Sequence, residues 1–319
     1  MRRRHLVHLL GANLLASLPQ RAMAIPGAGT ASAKTVLRVM TSFSILQDLV
    51  REVGGERVQV QTLVGADDDA HTFEPRPTHL RSLLEARLLV INGLNFEPWA
   101  EKIVKSADFK GEVLVVSQGL QAPRFEANLP RGANHGHGHG HGHGIDPHAW
   151  QDPHNVAHYV QAIADTLCRL DPDGAAAYRS HAQAYLADLR QLDAWIMAQF
   201  ADLHAGQLQV ITSHTAFAYF AARYKVRFLA PQGISTESRP SAQAVARLIQ
   251  LIRKERIRAV FLERMSDSKL LKQIARDTGI TLGPALYVDA LTAPGGDGDT
   301  YLIMMRHNVT ALAQGMRQN

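Results

Sequence analysis

Residues 174–204 read GAAAYRSHAQAYLADLRQLDAWIMAQFADLH, with no proline and with alanine and leucine at helical spacing. Glycine is confined to the margins of this stretch, so the spacing predicts one uninterrupted helix over 173–205. At ~1.5 Å per residue it would span roughly 45 Å, longer than most helices that stay inside one compact domain. Such a helix is expected to connect two lobes. At 319 residues, 46% of them hydrophobic, the chain is long enough for two.

On both sides of the helix, short apolar runs alternate with helical patterns. Before it, KTVLRVMTS (34–42) reads as a strand, FSILQDLVREVGG (43–55) as a helix ending on glycine, and VQVQTLV (58–64) as a strand. PTHLRSLLEARLLVING (77–93) then gives a helix running into a buried strand, NFEPWAEKIVKSA (95–107) a helix and EVLVVS (112–117) a strand. After it, LQVITS (208–213), VRFLAP (226–231) and RAVFLE (258–263) read as strands. The segments TAFAYFAARY (215–224), SAQAVARLIQLIRKERI (241–257) and SDSKLLKQIARDTG (266–279) read as helices, with a final one from about Thr300. The fold class is therefore α/β: two similar lobes with mostly parallel sheets, joined by one long backbone helix. The expected divisions are an N-terminal lobe over 34–172, the linker helix over 173–205 and a C-terminal lobe over 206–319.

Composition narrows the function. The formal charge of +5 invites a nucleic-acid reading, but Arg2, Arg3, Arg4 and Arg21 lie in the first 24 residues with no acidic residue among them. Setting those four aside reduces +5 to +1, so the charge gives no argument for a nucleic-acid partner. Residues 1–24 carry a basic start, an apolar run from Leu6 to Leu18 and the small-x-small site Ala22-Met23-Ala24, which is the layout of a cleaved export signal. The run falls short of the ~20 apolar residues that a spanning helix needs, and His8, Gly11 and Asn13 interrupt it. The paired arginines also fit a twin-arginine signal, so both export routes stay open. Cys168 is the single cysteine, which excludes an internal disulfide and leaves no thiol near the cleavage site for a lipid anchor. A soluble, monomeric periplasmic protein is expected.

Four polar residues each stand where a predicted strand gives way to a loop or helix, the place where open α/β sheets put their ligands. His71 lies in GADDDAHTFEPRP (65–77), His148 in IDPHAWQDP (145–153), His214 in ITSHTAF (211–217) and Asp289 in LYVDAL (286–291). Three imidazoles and one carboxylate are the nitrogen and oxygen donors that zinc accepts in a tetrahedral shell. Sixteen histidines compete for such a reading. His79, His154, His158, His181, His204 and His307 fall in or near helical patterns and read as structural or solvated. Glu74 could replace a ligand or orient a neighbour, and reads equally as a solvated loop carboxylate. Glu237 with Arg239 reads as a polar contact bordering the next helix. Asp146 and Asp152 both flank His148, and either could accept a ring N–H from it.

The stretches TSFSILQDLVREVGGERVQVQTLVGADDDAHTFEPRP (41–77), DPHAWQDPHN (146–155), ITSHTAFAYFAARY (211–224), GISTESRPSA (233–242) and DTYLIMMRHN (299–308) resemble the cluster A-I metal receptors of ABC importers. The resemblance runs from about Val36 to the end. It implies two lobes bridged by a long rigid helix, the ion at their interface on His71, His148, His214 and Asp289, and an importer permease as partner. Receptors resembling manganese binders tend to carry glutamate at the third position and zinc receptors histidine; here it is His214. The resemblance thus implies high-affinity capture of Zn2+ as a transported ligand. A manganese or iron receptor of the same fold and a periplasmic zinc chaperone or buffer are the competing readings. A zinc hydrolase fits less well, because a fourth protein ligand leaves no open position for an activated water.

Between His135 and His143, histidine alternates with glycine: His135, His137, His139, His141 and His143. Glycine opposes a fixed fold, so a loop dense in imidazole is expected, acting as a zinc-collecting arm or as a passive spacer. Deleting 135–143 should remove weak zinc sites while leaving one tight site, as read by the stoichiometry of calorimetric zinc titration. Unchanged stoichiometry would assign the segment to spacing alone.

Overall fold

The computed structural model describes residues 36–121, 145–237, 240–264 and 268–319. The export signal at 1–24, the five histidines of 135–143 and Arg239 lie outside the described residues. The first lobe is built on β1 (Leu37–Phe43), β2 (Val58–Val64), β3 (Leu88–Ile91) and β4 (Glu112–Val115), in the order β2-β1-β3-β4 and parallel throughout. Between them run α1 (Ser44–Gly54), α2 (Pro77–Leu84) and α3 (Ala100–Ser106). Parallel pairing requires each strand to return through a crossover, so all four carboxyl ends face the same way. Gly55, with φ +55°, lets the chain turn from α1 toward β2, and a side chain there would strike His181.

Helix α4 (Pro153–Leu170), which the sequence reading marked only through His154 and His158, packs on α5 (Ala175–Phe200). Asp152 caps α4, its carboxylate accepting from the His154 N–H at 2.8 Å, and Pro153 takes the first helical position, where its missing donor costs nothing. The long helix is shorter than the 173–205 expected, because a 3₁₀ turn over Pro172–Gly174 precedes it and it ends at Phe200. Its 26 residues span about 39 Å. It is no bare rod: Tyr178, Ala182, Tyr185, Leu189, Leu192, Ile196 and Phe200 form one buried stripe. That stripe packs against α1 and α4 of the first lobe and against α9 (Tyr301–Met316) of the second.

The second lobe contains β5 (Gln209–Ile211), α6 (Ala218–Tyr224), β6 (Arg227–Leu229), α7 (Ala242–Glu255) and α8 (Ser268–Thr278). β5 and β6 pair in parallel, and among the described residues the sheet continues only as isolated parallel bridges, Ile211 to Val260 and Glu263 to Leu286. The segment 258–263 is thus thinner than the strand expected for it. Ala259, Val260 and Phe261 are buried, but pairing is confined to single residues. Among the described residues no helix is long and apolar enough to cross a membrane.

The two lobes share one apolar core that runs from β1 and α1 through α4 and α5 to α6 and α9. Trp150 lies at its centre, fully buried, with its ring 5.0 Å from Phe43 and 4.7 Å from Phe96. Its Nε1 donates to the Val288 carbonyl of the second lobe at 2.8 Å, and Gln151 Nε2 donates to the same oxygen at 3.0 Å. Trp150→Ala should lower the unfolding free energy by about 3–5 kcal/mol through the cavity it leaves. Trp150→Phe, which keeps most of the ring and loses the hydrogen bond, should cost about 1–3 kcal/mol; urea denaturation of both variants checks the order.

Candidate metal centre

The four residues singled out in the sequence meet between the lobes. His71 sits in the loop that follows β2, His214 in the loop that follows β5, and Asp289 three residues beyond the bridge at Leu286. His148 opens a 3₁₀ turn, Ala149–Gln151, whose approach is fixed from β3: Asn92 Nδ2 donates to the Pro147 carbonyl at 2.9 Å. Strand ends that share a direction bring their loops to one side of each sheet, and the core shared by the two lobes holds these sides together, so residues 218 positions apart meet.

One potential donor atom from each of the four lies within 4.8 Å of every other. His71 Nε2 is 3.2 Å from His148 Nε2, which is 3.3 Å from His214 Nε2. Asp289 Oδ2 is 3.4 Å from His214 Nε2 and 3.7 Å from His71 Nε2, and its Oδ1 is 3.4 Å from His148 Nε2. A tetrahedral shell with metal–nitrogen bonds of about 2.0–2.1 Å places its donors about 3.3–3.4 Å apart. The separations of 3.2–3.4 Å match edges of that polyhedron, and the 3.7 Å between His71 and Asp289 is longer. Asp289 Oδ1 is buried and has no hydrogen-bond partner, as expected of an oxygen aimed at a cation rather than at a protein donor.

Behind two of the imidazoles stand carboxylates. His148 Nδ1 meets Asp146 Oδ1 at 2.6 Å, and His214 Nδ1 meets Glu263 Oε2. Each pairing puts the ring proton on Nδ1 and leaves the Nε2 lone pair facing the centre. Asp146 also accepts from the backbone N–H of His148 at 2.9 Å and of Ala218, in the other lobe, at 3.1 Å. Glu263 Oε1 accepts from the backbone N–H of Ser213 at 2.8 Å and of His214 at 3.1 Å. The His71 ring is held edge-on to Phe96, centroids 4.8 Å apart. Phe96 belongs to a loop in which Gly93, Leu94 and Asn95 all have positive φ. The buried Glu97 carboxylate pins that loop by accepting from Ser42 Oγ and from the N–H groups of Asn92 and Gly93.

Burial dominates the electrostatics. It pushes His71 down to about 2, helped by the charges of His148 and His214, so this ring is neutral. Burial also opposes the charged form of His214, yet the Glu263 and Asp289 carboxylates outweigh it and lift the imidazole to about 9. An arriving divalent cation must displace a proton there. Burial works against the Asp146 anion as well, but His148 and the two backbone amides hold its carboxyl below the usual range. Asp289 is pushed upward by burial.

Of the two acids flanking His148, the structure assigns contact with the ring to Asp146; Asp152 caps α4 and faces Arg223 at 3.4 Å. Glu74 and Glu237 are exposed and outside the cluster. Four further histidines serve locally: His79 Nδ1 accepts from Arg76 N–H at the start of α2, while His158, His181 and His307 meet the carbonyls of Gln118, Val53 and Ala285. Glu263 is the functional residue that sequence reasoning missed, although it ends a predicted strand as the other site residues do.

Residues 39–315 match the family described as zinc-uptake complex component A, periplasmic (ZnuA). The chain belongs to this family. It is 30% identical over 290 residues to the manganese-binding lipoprotein MntA of Halalkalibacterium halodurans, covering 91% of this chain and 92% of that one. It is also 30% identical to the iron-binding protein YfeA of Yersinia pestis, covering 88% and 86%. The periplasmic zinc-binding protein TroA of Treponema pallidum shares the fold, with a TM-score of 0.79 at 24% identity over 88% of this chain and 99% of that one. The ZnuA-family protein is a periplasmic metal-binding receptor of an ABC importer and not an enzyme.

Glu263→Gln keeps the shape of the side chain but cannot accept from His214 and from both backbone amides at once. The change should weaken binding of a divalent metal by about 10–100-fold, measured by competition with a chromogenic chelator. Unchanged affinity would mean that packing alone orients His214.

Proposed function

We propose that this receptor captures zinc in the periplasm and delivers it to the permease of its importer, holding the ion on His71, His148, His214 and Asp289. The observation that carries the reading is the convergence of three imidazole Nε2 atoms, in steps of 3.2 and 3.3 Å, with a buried carboxylate whose Oδ1 accepts no hydrogen bond. A nitrogen-rich shell suits zinc, whereas carboxylate-rich shells suit manganese. His214 makes this shell nitrogen-rich, and the family description supports the same choice. Residues 34–172 and 206–319 supply two donors each, and 173–205 joins them. The carboxylates at Asp146 and Glu263 raise the basicity of their imidazoles, so capture is favoured once the proton on His214 has left.

A manganese or iron receptor is the second reading. Both oxygens of Asp289 lie within 3.4 Å of an imidazole nitrogen, so a bidentate carboxylate could raise the donor count above four, as a harder cation prefers. The names of MntA and YfeA point the same way.

Calorimetric titration of zinc against manganese, with the parent and a His214→Glu variant, separates the two readings. One zinc per protein that manganese does not displace, with weaker zinc binding in the variant, is the expected result. A parent that prefers manganese would move the protein to the second reading and make His214 irrelevant to selectivity.

A further inference from the structure

A cleft of about 690 Å³ opens above His71. Leu94, Asn95 and Pro98 border it from the first lobe, and Ile234 and Ser235 from the second. His71 retains 8% exposure, against 0% for His148 and 1% each for His214 and Asp289. An ion therefore reaches the other three donors by passing His71.

The loop that carries His71 is tied across this cleft. Thr236 Oγ1, in the second lobe, donates to Asp69 Oδ2 at 2.7 Å. The other oxygen of the same carboxylate accepts from the backbone N–H of His71 at 2.8 Å. Thr236 is in turn anchored beside His214: Gln232 Nε2 donates to the Thr236 carbonyl at 2.7 Å, and the Gln232 carbonyl accepts from Thr215 Oγ1 at 3.1 Å. Thr215 N–H also donates to the Gly233 carbonyl at 3.0 Å. A hydrogen-bonded path thus runs over the cleft from one histidine loop to the other, through Asp69, Thr236 and Gln232.

We infer that Thr236 is a positioning residue for metal exchange: through Asp69 its hydroxyl holds the His71 loop across the entrance and sets how fast the ion passes in either direction. The inference rests on the four-donor reading given above. Three observations converge on rate rather than on affinity. Thr236 lies on the far side of Asp69 from His71 and offers no atom to the donor cluster. The continuous core opposes a swing of one lobe against the other, so passage depends on the entrance loops. The bond from a hydroxyl to a carboxylate is of the strong, charge-assisted kind, and opening the His71 loop from the second lobe must break it.

The test is stopped-flow kinetics of Zn2+ association, and of Zn2+ dissociation into excess EDTA, on the parent, Thr236→Val and Thr236→Ser. Valine keeps the shape and removes the hydroxyl, and serine restores it. In the valine variant both rate constants should rise roughly tenfold or more, so that their ratio, the dissociation constant, moves less than about threefold. Serine should return both to the parent values. Asp69→Asn, which can still accept from the His71 N–H but replaces the charge-assisted bond to Thr236 by a weaker neutral one, should raise both rates in the same direction by a smaller factor, above about twofold, and serves if the valine variant folds poorly. Rates within about twofold of the parent in both variants overturn the inference, as does faster dissociation alone with affinity lost in proportion. Equilibrium dialysis of the parent separates the two readings: no one-to-one binding overturns the four-donor site and this inference with it, whereas normal binding with unaltered variant rates overturns this inference alone.

Discussion

The Val288 carbonyl accepts from two side chains of the opposite lobe, Trp150 Nε1 and Gln151 Nε2, and the next residue is Asp289. His148 lies two positions before Trp150. Two site residues from different lobes are thus brought together by hydrogen bonds made one or two residues away, inside a packed aromatic core. The seam has further fastenings of the same kind. Tyr219 donates to the Asp146 carbonyl, Tyr301 to the Trp150 carbonyl, and the Leu291 N–H to Ser44. None of these groups belongs to the donor set, yet each fixes a residue next to it or behind it. Buried backbone groups must find partners, and here that requirement also sets the geometry of the metal centre.

Charge is arranged with the same economy. Asp146 and Glu263 sit behind imidazoles and Asp289 sits at the centre, so a dication arriving there is embedded in negative charge without any carboxylate having to move far. Such a cluster is awkward without a cation, as the raised pKa values of His214 and Asp289 indicate. The proton that His214 tends to hold replaces part of the missing positive charge. Capture is therefore an exchange of proton for metal at a site already shaped for both.

Much of this could be read in the chain. The alternation of apolar runs and helical patterns foretold parallel sheets because strands covered on both faces need few polar residues. His71, His148, His214 and Asp289 were all read as standing where a predicted strand gives way to a loop or helix, a position that carries information in an open sheet; His148 instead opens the 3₁₀ turn ahead of α4. What escaped was whatever depended on distant partners. Glu263 is one carboxylate among 29 acidic residues until the fold sets it behind His214. Segment 258–263 has the composition of a strand, but whether it pairs along its length is settled by neighbours far away in sequence. The roles of Asp146 and Asp152 were not separable in the sequence, since each precedes a proline; only the fold makes Asp152 the cap of α4 and sets Asp146 against the ring.

The continuous core has a bearing on how such receptors can diversify. Because α5 buries one stripe against both lobes, and Trp150 fills a space lined from both, the lobes share their larger core, while β5, β6, α7 and α8 keep a smaller apolar cluster of their own. Half of the chain could not be exchanged for the half of another receptor without rebuilding the wall between them. New cargo preferences must instead arise by point changes in four loops that the core holds at fixed separations. Such loops can change a donor atom while the scaffold beneath them stays the same, which is how one architecture can accommodate relatives named for manganese, iron and zinc.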